Sequence, residues 1–425
     1  LLANMPHIAH AMRFVLPHSR GMRPAWLLRL GLFIYDHLGG RKLLPGTRTL
    51  NLADDPAGVP LKPELRRAFD YSDGFVDDAR LVVLNARDAA DRGAHILTRT
   101  ELTRATRRDG LWYADITDRR TGRTFALKAR SLVNAGGPWV NLVIKEALGT
   151  SRHDPIRLVR GSHIVTRKLF DHDRAYFFQN ADGRIIFAIP YEEDFTLIGT
   201  TDIDHAASPD CVSCTTREID YLCSAASEYF VEPVTKADVV WTYAGVRPLD
   251  DDHGGSASKA SRDYHFRIED ENDTAPLISI YGGKITTFRK LAATVVGMLG
   301  RYVELSGLPW TDHTPLPGGD FTYGDIGAIE DGLRRKCPDL DERTVRRMAR
   351  AYGTRALLIL GGAGSVEDLG EDFGAGLYEA ELRWLVANEW AERVEDIIWR
   401  RTKCGLRMAP AQVSRLEEWL REHGQ

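Results

Sequence analysis

The sequence predicts a mixed α/β fold: an α/β domain whose chain makes an excursion through a second, mostly antiparallel domain and ends in an all-helical one. Three observations carry this. SLVNAGGPWVNLV (Ser131 to Val143) and LISIYGGKITTFRKLAATVVGML (Leu277 to Leu299) each read as an apolar strand, two glycines and a helix. Between them, from Ile156 to about Val240, lie short segments rich in β-branched and aromatic residues, punctuated by turn residues. After TPLPGGDF (Thr314 to Phe321) the pattern is helical to the end. A chain of 425 residues is also longer than one core usually supports.

Taken in order, MRFVLPHSRGMRPAWLLRLGLFIYDHLGGRK (Met12 to Lys42) predicts a helical hairpin stopped at Gly39-Gly40 and rimmed by Arg20, Arg23, Arg29, Arg41 and Lys42. Two readings of it stand: a helix buried on one face, or a cationic amphipathic segment that meets anionic lipid. Its apolar core, AWLLRLGLFIY, is too short to span a bilayer. DDARLVVLNARDAADR (Asp77 to Arg92) has helical spacing, and successive strands follow to Asn134 with turns at Gly110 and Thr121-Gly122. The excursion holds RLVRGSHIVTRK, AYFFQN, RIIFAIPY and FTLIGTTDI as strands and REIDYLCSAASEYF as a helix. VWTYAGVRPL and DYHFRIED read as a strand pair. The segments containing VRRMARAY, ELRWLVANEW and SRLEEWLREHG supply the C-terminal helices. The predicted domains are 1–155 with 241–310 (20–75 partly in the second domain or helical), 156–240, and 311–425.

Composition excludes several classes. With 43% hydrophobic and 27% charged residues the chain is an ordinary folded one. A formal charge of −4 provides no global basic field for nucleic acid, so any anion site is local. Five cysteines do not make a disulfide framework, and a reducing compartment follows. Cys211 and Cys214 form a CxxC without a second pair, which argues against zinc and redox roles. GxSxG, HExxH, Walker A and GxGxxG patterns are absent.

The strongest local signal is YGGKITTFRK (Tyr281 to Lys290). Gly282 and Gly283 free the backbone, Lys284 supplies a cation, and Thr286 and Thr287 offer hydroxyls at a helix start, which suits a phosphate or an anionic ring oxygen. A plain turn capped by Thr287 is the alternative. Arg247 in GVRPL and Arg262 in SRDY could join Lys284 on a phosphate dianion, or each could be a solvated surface arginine. His163 in RGSHIV is either a proton acceptor or an ordinary strand histidine, and Arg184 in DGRIIFAIP either an active-site cation or a hairpin residue.

The ordered set YSDGFVDDARL, LVNAGGPWV, RGSHIV, DGRIIFAIPY, LIGTTD, VWTYAGVRPL, SRDY, GGKITTFRK, LPGGDF and IIWRRTKCGL resembles the FAD-dependent, quinone-linked glycerol-3-phosphate dehydrogenase family over essentially the whole chain. The resemblance implies a glutathione-reductase-like FAD domain, a substrate cap on an antiparallel sheet and a helical C-terminal domain. It implies hydride transfer from C2 of sn-glycerol 3-phosphate to flavin N5, yielding dihydroxyacetone phosphate, with electrons passed to quinone. By the same resemblance His163 is the base, Arg184 a further catalytic cation, and Arg247, Arg262 and Lys284 the phosphate and flavin-edge contacts. Gly136, Gly137, Trp139, Gly282, Gly283, Lys284 and Thr286 would lie along the FAD. It further implies peripheral attachment to the inner face of the cell membrane, and a homodimer is compatible with it. The family's opening strand, glycine-rich fingerprint and helix have no counterpart in the sequence. The chain is therefore read as a fragment entered midway, lacking its first βαβ unit and holding flavin poorly by itself. An oxygen-using glycerol-3-phosphate or amino-acid oxidase relative, and an inactive remnant acting as an interaction module, are the alternatives.

Overall fold

The computed structural model describes residues 1–19, 21–37, 44–199, 202–250 and 263–424. Arg20, Gly39, Gly40, Arg41, Lys42 and Arg262 lie outside them. In chain order the elements are β1 (Ala9–Pro17), α1 (Ala25–His37), β2 (Arg48–Asn51), β3 (Arg67–Val76), α2 (Asp78–Asp91), β4 (Thr100–Arg108), β5 (Leu111–Asp118), β6 (Thr124–Ala129), β7 (Leu132–Asn134) and α3 (Val140–Leu142). There follow β8 (Ile156–Arg167), β9 (Ala175–Gln179), β10 (Ile185–Tyr191), β11 (Phe195–Gly199), β12 (Ile203–Asp204), α4 (Thr216–Ser227), β13 (Val239–Asp250), β14 (Tyr264–Glu271), β15 (Thr274–Gly282) and α5 (Phe288–Leu299). The C-terminal part holds α6 (Ile326–Lys336), α7 (Glu342–Tyr352), α8 (Ala356–Leu360), α9 (Glu379–Glu389) and α10 (Pro410–His423).

These elements form two compact units. One comprises Leu1–Met12, Gly74–Thr98 and Trp310–Gln425; the other comprises Arg13–Asp73 and Arg99–Pro309. This partition departs from the boundaries drawn on the sequence. Residues 74–98, assigned there to the α/β domain, group with the C-terminal helices. The central sheet recruits β2, most of β1 and β3, and β13 from outside 156–240.

In the first unit, α2 starts at Asp77, whose carboxylate accepts the Arg80 amide at 3.1 Å. Its buried face docks through charge as well as apolar area. Arg80 is almost fully buried, donates from Nε to the Ala351 carbonyl at 2.9 Å, and forms a two-pronged ion pair with Glu389. Tyr352 lies under the Arg80 guanidinium and donates its hydroxyl to Glu381 at 2.6 Å, and Glu381 also holds Arg347. The surrounding core is built from Leu333, Val345, Met348, Leu382, Leu385, Ile397 and Leu416. His7 is buried between Gly318 and Gly353 with neither ring nitrogen hydrogen-bonded among the described residues. Burial, and next the Arg80 cation, push its pKa down to about 3.

The second unit is organised by a nine-stranded sheet in the order β12-β8-β11-β10-β9-β1-β3-β2, with β13 on the other flank of β8. β8 is antiparallel to β11, β12 and β13, β10 to β9 and β11, and β2 to β3, whereas β1 and β9 run parallel. The helical hairpin expected over Met12 to Lys42 is half wrong: Ala9–Pro17 is a strand, and only Ala25–His37 is a helix. Met12 and Phe14 flank Arg13 in a period of two, but Val15, Leu16 and Pro17 are buried as well, and that apolar run hides the strand. The proposed pairing of VWTYAGVRPL with DYHFRIED also fails, since β13 pairs with β8 and β14 with β15.

α4 covers one face of the sheet. Its N-terminus carries a capping box in which Thr215 and Glu218 satisfy each other's backbone amides. Leu222, Ala226, Tyr229 and Phe230 pack there against Ile164, Phe178, Ile186 and Ile198. Glu218, itself buried, also accepts the Ser162 hydroxyl at 2.7 Å and pairs with Arg160, tying the helix start to β8. A three-stranded sheet, β14-β15-β7, has β7 parallel to β15. A further one, β4-β5-β6, leans on it through Trp112, whose indole N–H donates to the Pro276 carbonyl at 3.0 Å.

Replacing only Glu389 by Leu leaves Arg80 as an unpaired buried charge, so stability falls by about 3–5 kcal/mol. The double change Arg80→Met with Glu389→Leu recovers most of that loss. Urea unfolding of the three proteins measures the difference.

Candidate active site

The twelve-residue strands β8 and β13 pair antiparallel, in regular register from Trp241 to Asp250 after an irregularity at Val240, with Tyr243 opposite His163, Gly245 opposite Gly161 and Arg247 opposite Val159. Directly opposed residues share a face. His163, Tyr243 and Arg247 therefore stand together on the face that α4 leaves uncovered, while Ser162 and Ile164 point into α4.

The His163 ring is held on two sides. It stacks flat on Tyr243, with centroids 4.8 Å apart and planes 7° off parallel, and Trp241 packs against Tyr243 at a tilt of 33°. On the other flank Gly199 of β11 is its sheet partner, and a Cβ on Gly199 would overlap the imidazole. Its Nδ1 is buried and makes no hydrogen bond among the described residues. Burial, and next the Arg247 cation, push its pKa down to about 4, so the ring is neutral at physiological pH. Arg247 donates from Nη1 to Asp202 at 2.6 Å, which fixes the guanidinium.

The face continues into aromatic rings. Phe187, opposite Gly199 on β10, packs edge-on to Phe177 and Phe14. Phe14 stacks on Tyr71, which meets Tyr35 of α1. α1 has no buried residue and exposes Trp26, Leu30, Phe33 and Ile34. No helix among the described residues is long and apolar enough to cross a membrane.

Both Gly-Gly turns follow the neighbouring parallel strands β7 and β15. Gly137, Gly282 and Gly283 adopt φ of +55°, +71° and +112°, and a Cβ on Gly282 would overlap the Asp263 carbonyl, so these positions require glycine. The turn Gly137–Trp139 lies against β13 and β15, and the Trp139 indole donates to Asp210 at 3.1 Å. Lys284 and Thr286 are exposed. Thr287 donates its hydroxyl back to the Lys284 carbonyl at 3.0 Å, so the start of α5 is not capped by it.

The structure thus brings His163 and Arg247 to one face and sets the turn of Gly136, Gly137 and Trp139 beside β13. It does not bring Arg184 there. Arg184 precedes β10 at a hairpin, pairs with Asp182 at 2.8 Å, and lies over the Tyr221 ring of α4, on the opposite face of the sheet. Strand alternation sends it there, and the sequence reading had no register to decide it. Arg262 is outside the described residues. Tyr243, Gly199 and Asp202 were not singled out from sequence. The signal for Tyr243 was present as the alternation Tyr243, Gly245, Arg247, but it acquires meaning only from the pairing with β8. Among the described residues no three His, Cys, Asp or Glu side chains cluster to hold a metal.

Comparison with known proteins places these features. Residues 1–288 match the family model described as FAD dependent oxidoreductase, and residues 309–422 match the C-terminal domain of alpha-glycerophosphate oxidase. The chain is 46% identical to the aerobic glycerol-3-phosphate dehydrogenase of Escherichia coli (strain K12), covering 100% of this chain and 84% of that protein. It is 47% identical to the D-erythritol 1-phosphate dehydrogenase of Brucella abortus (strain 2308), covering 99% and 83%. Its fold is similar to the glycerol-3-phosphate dehydrogenase from Bacillus halodurans complexed with FAD, with a TM-score of 0.77 at 25% identity over 99% of this chain and 82% of that one.

Gly199→Ala is expected to keep the sheet but turn the imidazole off Tyr243. Turnover falls by about a hundredfold, as for a catalytic group displaced by an ångström, with flavin content unchanged. Steady-state rates and the flavin spectrum of the purified variant check it.

Proposed function

The chain belongs to the FAD-dependent oxidoreductase family, and on that premise we propose that it oxidises sn-glycerol 3-phosphate to dihydroxyacetone phosphate. The observation that carries the reading is the neutral, clamped His163 on the same sheet face as the Asp202-held Arg247. Oxidation at C2 needs the hydroxyl proton removed as the hydride departs, and a neutral imidazole can accept it. A guanidinium can take a phosphate by two parallel N–H bonds. The ion pair with Asp202 orients that fork in advance, which limits what ordering costs on binding. Lys284 and Arg262 are proposed as further phosphate and flavin-edge cations.

The residues present fit FAD. The two turns that require glycine leave backbone uncovered beside neighbouring parallel strand ends, which is where α/β sheets receive nucleotide cofactors. Gly136, Gly137, Trp139, Gly282, Gly283 and Thr286 would hold it, and when bound it supplies the hydride acceptor. The assignment of 1–155 with 241–310 to the cofactor, 156–240 to a cap and 311–425 to a helical domain remains part of this proposal, amended by the sheet described above.

A second substrate reading, D-erythritol 1-phosphate, is favoured by the 47% identity to a protein named for that activity. Both are polyol monophosphates, so the roles of His163 and Arg247 are the same in either case. We infer quinone as the electron acceptor and the inner face of the cell membrane as the place of work. The support is α1, a 13-residue helix about 20 Å long at 1.5 Å per residue, which is too short to span and has apolar rings facing out beside Arg23 and Arg29. Dimerisation belongs to the proposal on family grounds alone.

Without oxygen, sn-glycerol 3-phosphate bleaches the flavin-loaded protein, and a quinone restores the colour faster than oxygen does. The base is competent while neutral, so kcat/KM, corrected for the phosphate's own ionisation at about 6, holds as pH falls and is lost only near 4. A limb at about 6.5 contradicts a desolvated base, and unchanged colour with both polyol phosphates overturns the reading.

Anionic vesicles sediment the protein, and Phe33→Asp with Ile34→Asp abolishes this. Substituting neutral lipid, or raising salt, weakens it several-fold.

A further inference from the structure

A row without side chains, in which Gly161 is buried and Gly245 exposed, separates the base from the cation on the β8/β13 ladder. Successive rows on this face are His163 with Tyr243, Gly161 with Gly245, and Val159 with Arg247. Tyr243 and Arg247 are about 13 Å apart at 3.3 Å per residue, and the row between them has glycine on both strands.

The other glycines of the site have reasons inside the protein. Gly282 and Gly283 need a left-handed φ, and Gly199 makes room for an imidazole. Gly245 has neither reason. Its φ lies outside the left-handed region, and a Cβ built on it meets no atom of the described residues within 4 Å. A glycine inside a strand costs about 0.5–1 kcal/mol relative to alanine, and here no turn or packing contact repays it. A position of that kind marks close approach by something that is not part of the chain. Gly245 is exposed on the face that carries His163 and Arg247.

Resting on the polyol-phosphate reading above, we propose that Gly245, paired with Gly161, is the floor of the substrate slot and determines how closely a polyol monophosphate can lie on the sheet. The phosphate sits toward Arg247, the carbon to be oxidised sits toward His163, and the hydroxyl-bearing chain between them rests on backbone. A side chain at 245 raises the floor and lifts the reacting carbon away from the imidazole while leaving Arg247 and its partner Asp202 in place.

The test uses the flavin-loaded protein with Gly245→Ala and Gly245→Val. The alanine variant melts at or above the wild-type temperature, because it restricts the unfolded chain without a clash. Its kcat/KM for sn-glycerol 3-phosphate falls about tenfold, and that of the valine variant about a hundredfold or more. The Kd for inorganic phosphate, measured by calorimetry, stays within about twofold because the Arg247 end is untouched. A valine variant as active as wild type overturns the slot. A loss of phosphate affinity matching the loss of kcat/KM also overturns it, since the effect would then lie at Arg247. If the wild-type protein oxidises neither sn-glycerol 3-phosphate nor D-erythritol 1-phosphate, the functional reading itself fails, and the slot with it.

Discussion

The antiparallel pairing of β8 with β13, regular from Trp241 to Asp250, is the constraint on which the site depends. Side-chain period in a strand is two, so the register that sets His163 against Tyr243 also fixes which face Arg247 takes. A slip of β13 by one residue would turn Tyr243 and Arg247 into the face covered by α4 and leave His163 behind. The register is secured from that other side, where Glu218 holds Ser162 and Arg160 of β8 to the capped start of α4, and Ile164 is fully buried under the helix. Packing on one face thereby determines the chemistry available on the other.

The same arrangement governs the charge states. A largely buried histidine beside an arginine is kept neutral by both influences, with burial the larger. The arginine in turn would be costly to desolvate alone, and Asp202 offsets that by supplying a partner. The outcome is a neutral imidazole and an oriented guanidinium on one surface, from residues that in water would both be charged at mildly acidic pH. The helical unit uses buried charge differently. There Arg80, Glu389, Tyr352, Glu381 and Arg347 are paired with one another away from solvent, and Arg80 is the member that α2 contributes.

Much of this was legible in the sequence. Strand–glycine–helix units at Asn134 and Tyr281, the strands from Ile156 onward and the helical C-terminal part all appear as read, because local period and turn chemistry determine them. Where local signals conflict, the reading fails. The stretch before Pro17 is apolar enough to pass for helix, yet it is a strand that pairs with β9 in the sheet. Arg184 looked as good a cation as Arg247, and only the side of the sheet distinguishes them.

By itself, then, the sequence determined the element types, the glycine turns with their left-handed backbone, the family and the chemical kind of each candidate group. Those follow from neighbours along the chain. The tertiary structure alone decided which groups meet. Tyr243 and Asp202 become partners of His163 and Arg247 through strand pairing between distant segments, and Gly199 and Gly245, alike in sequence, acquire different meanings. One glycine lies against a ring of the protein and the other against open space, a difference set by long-range register that no local pattern encodes.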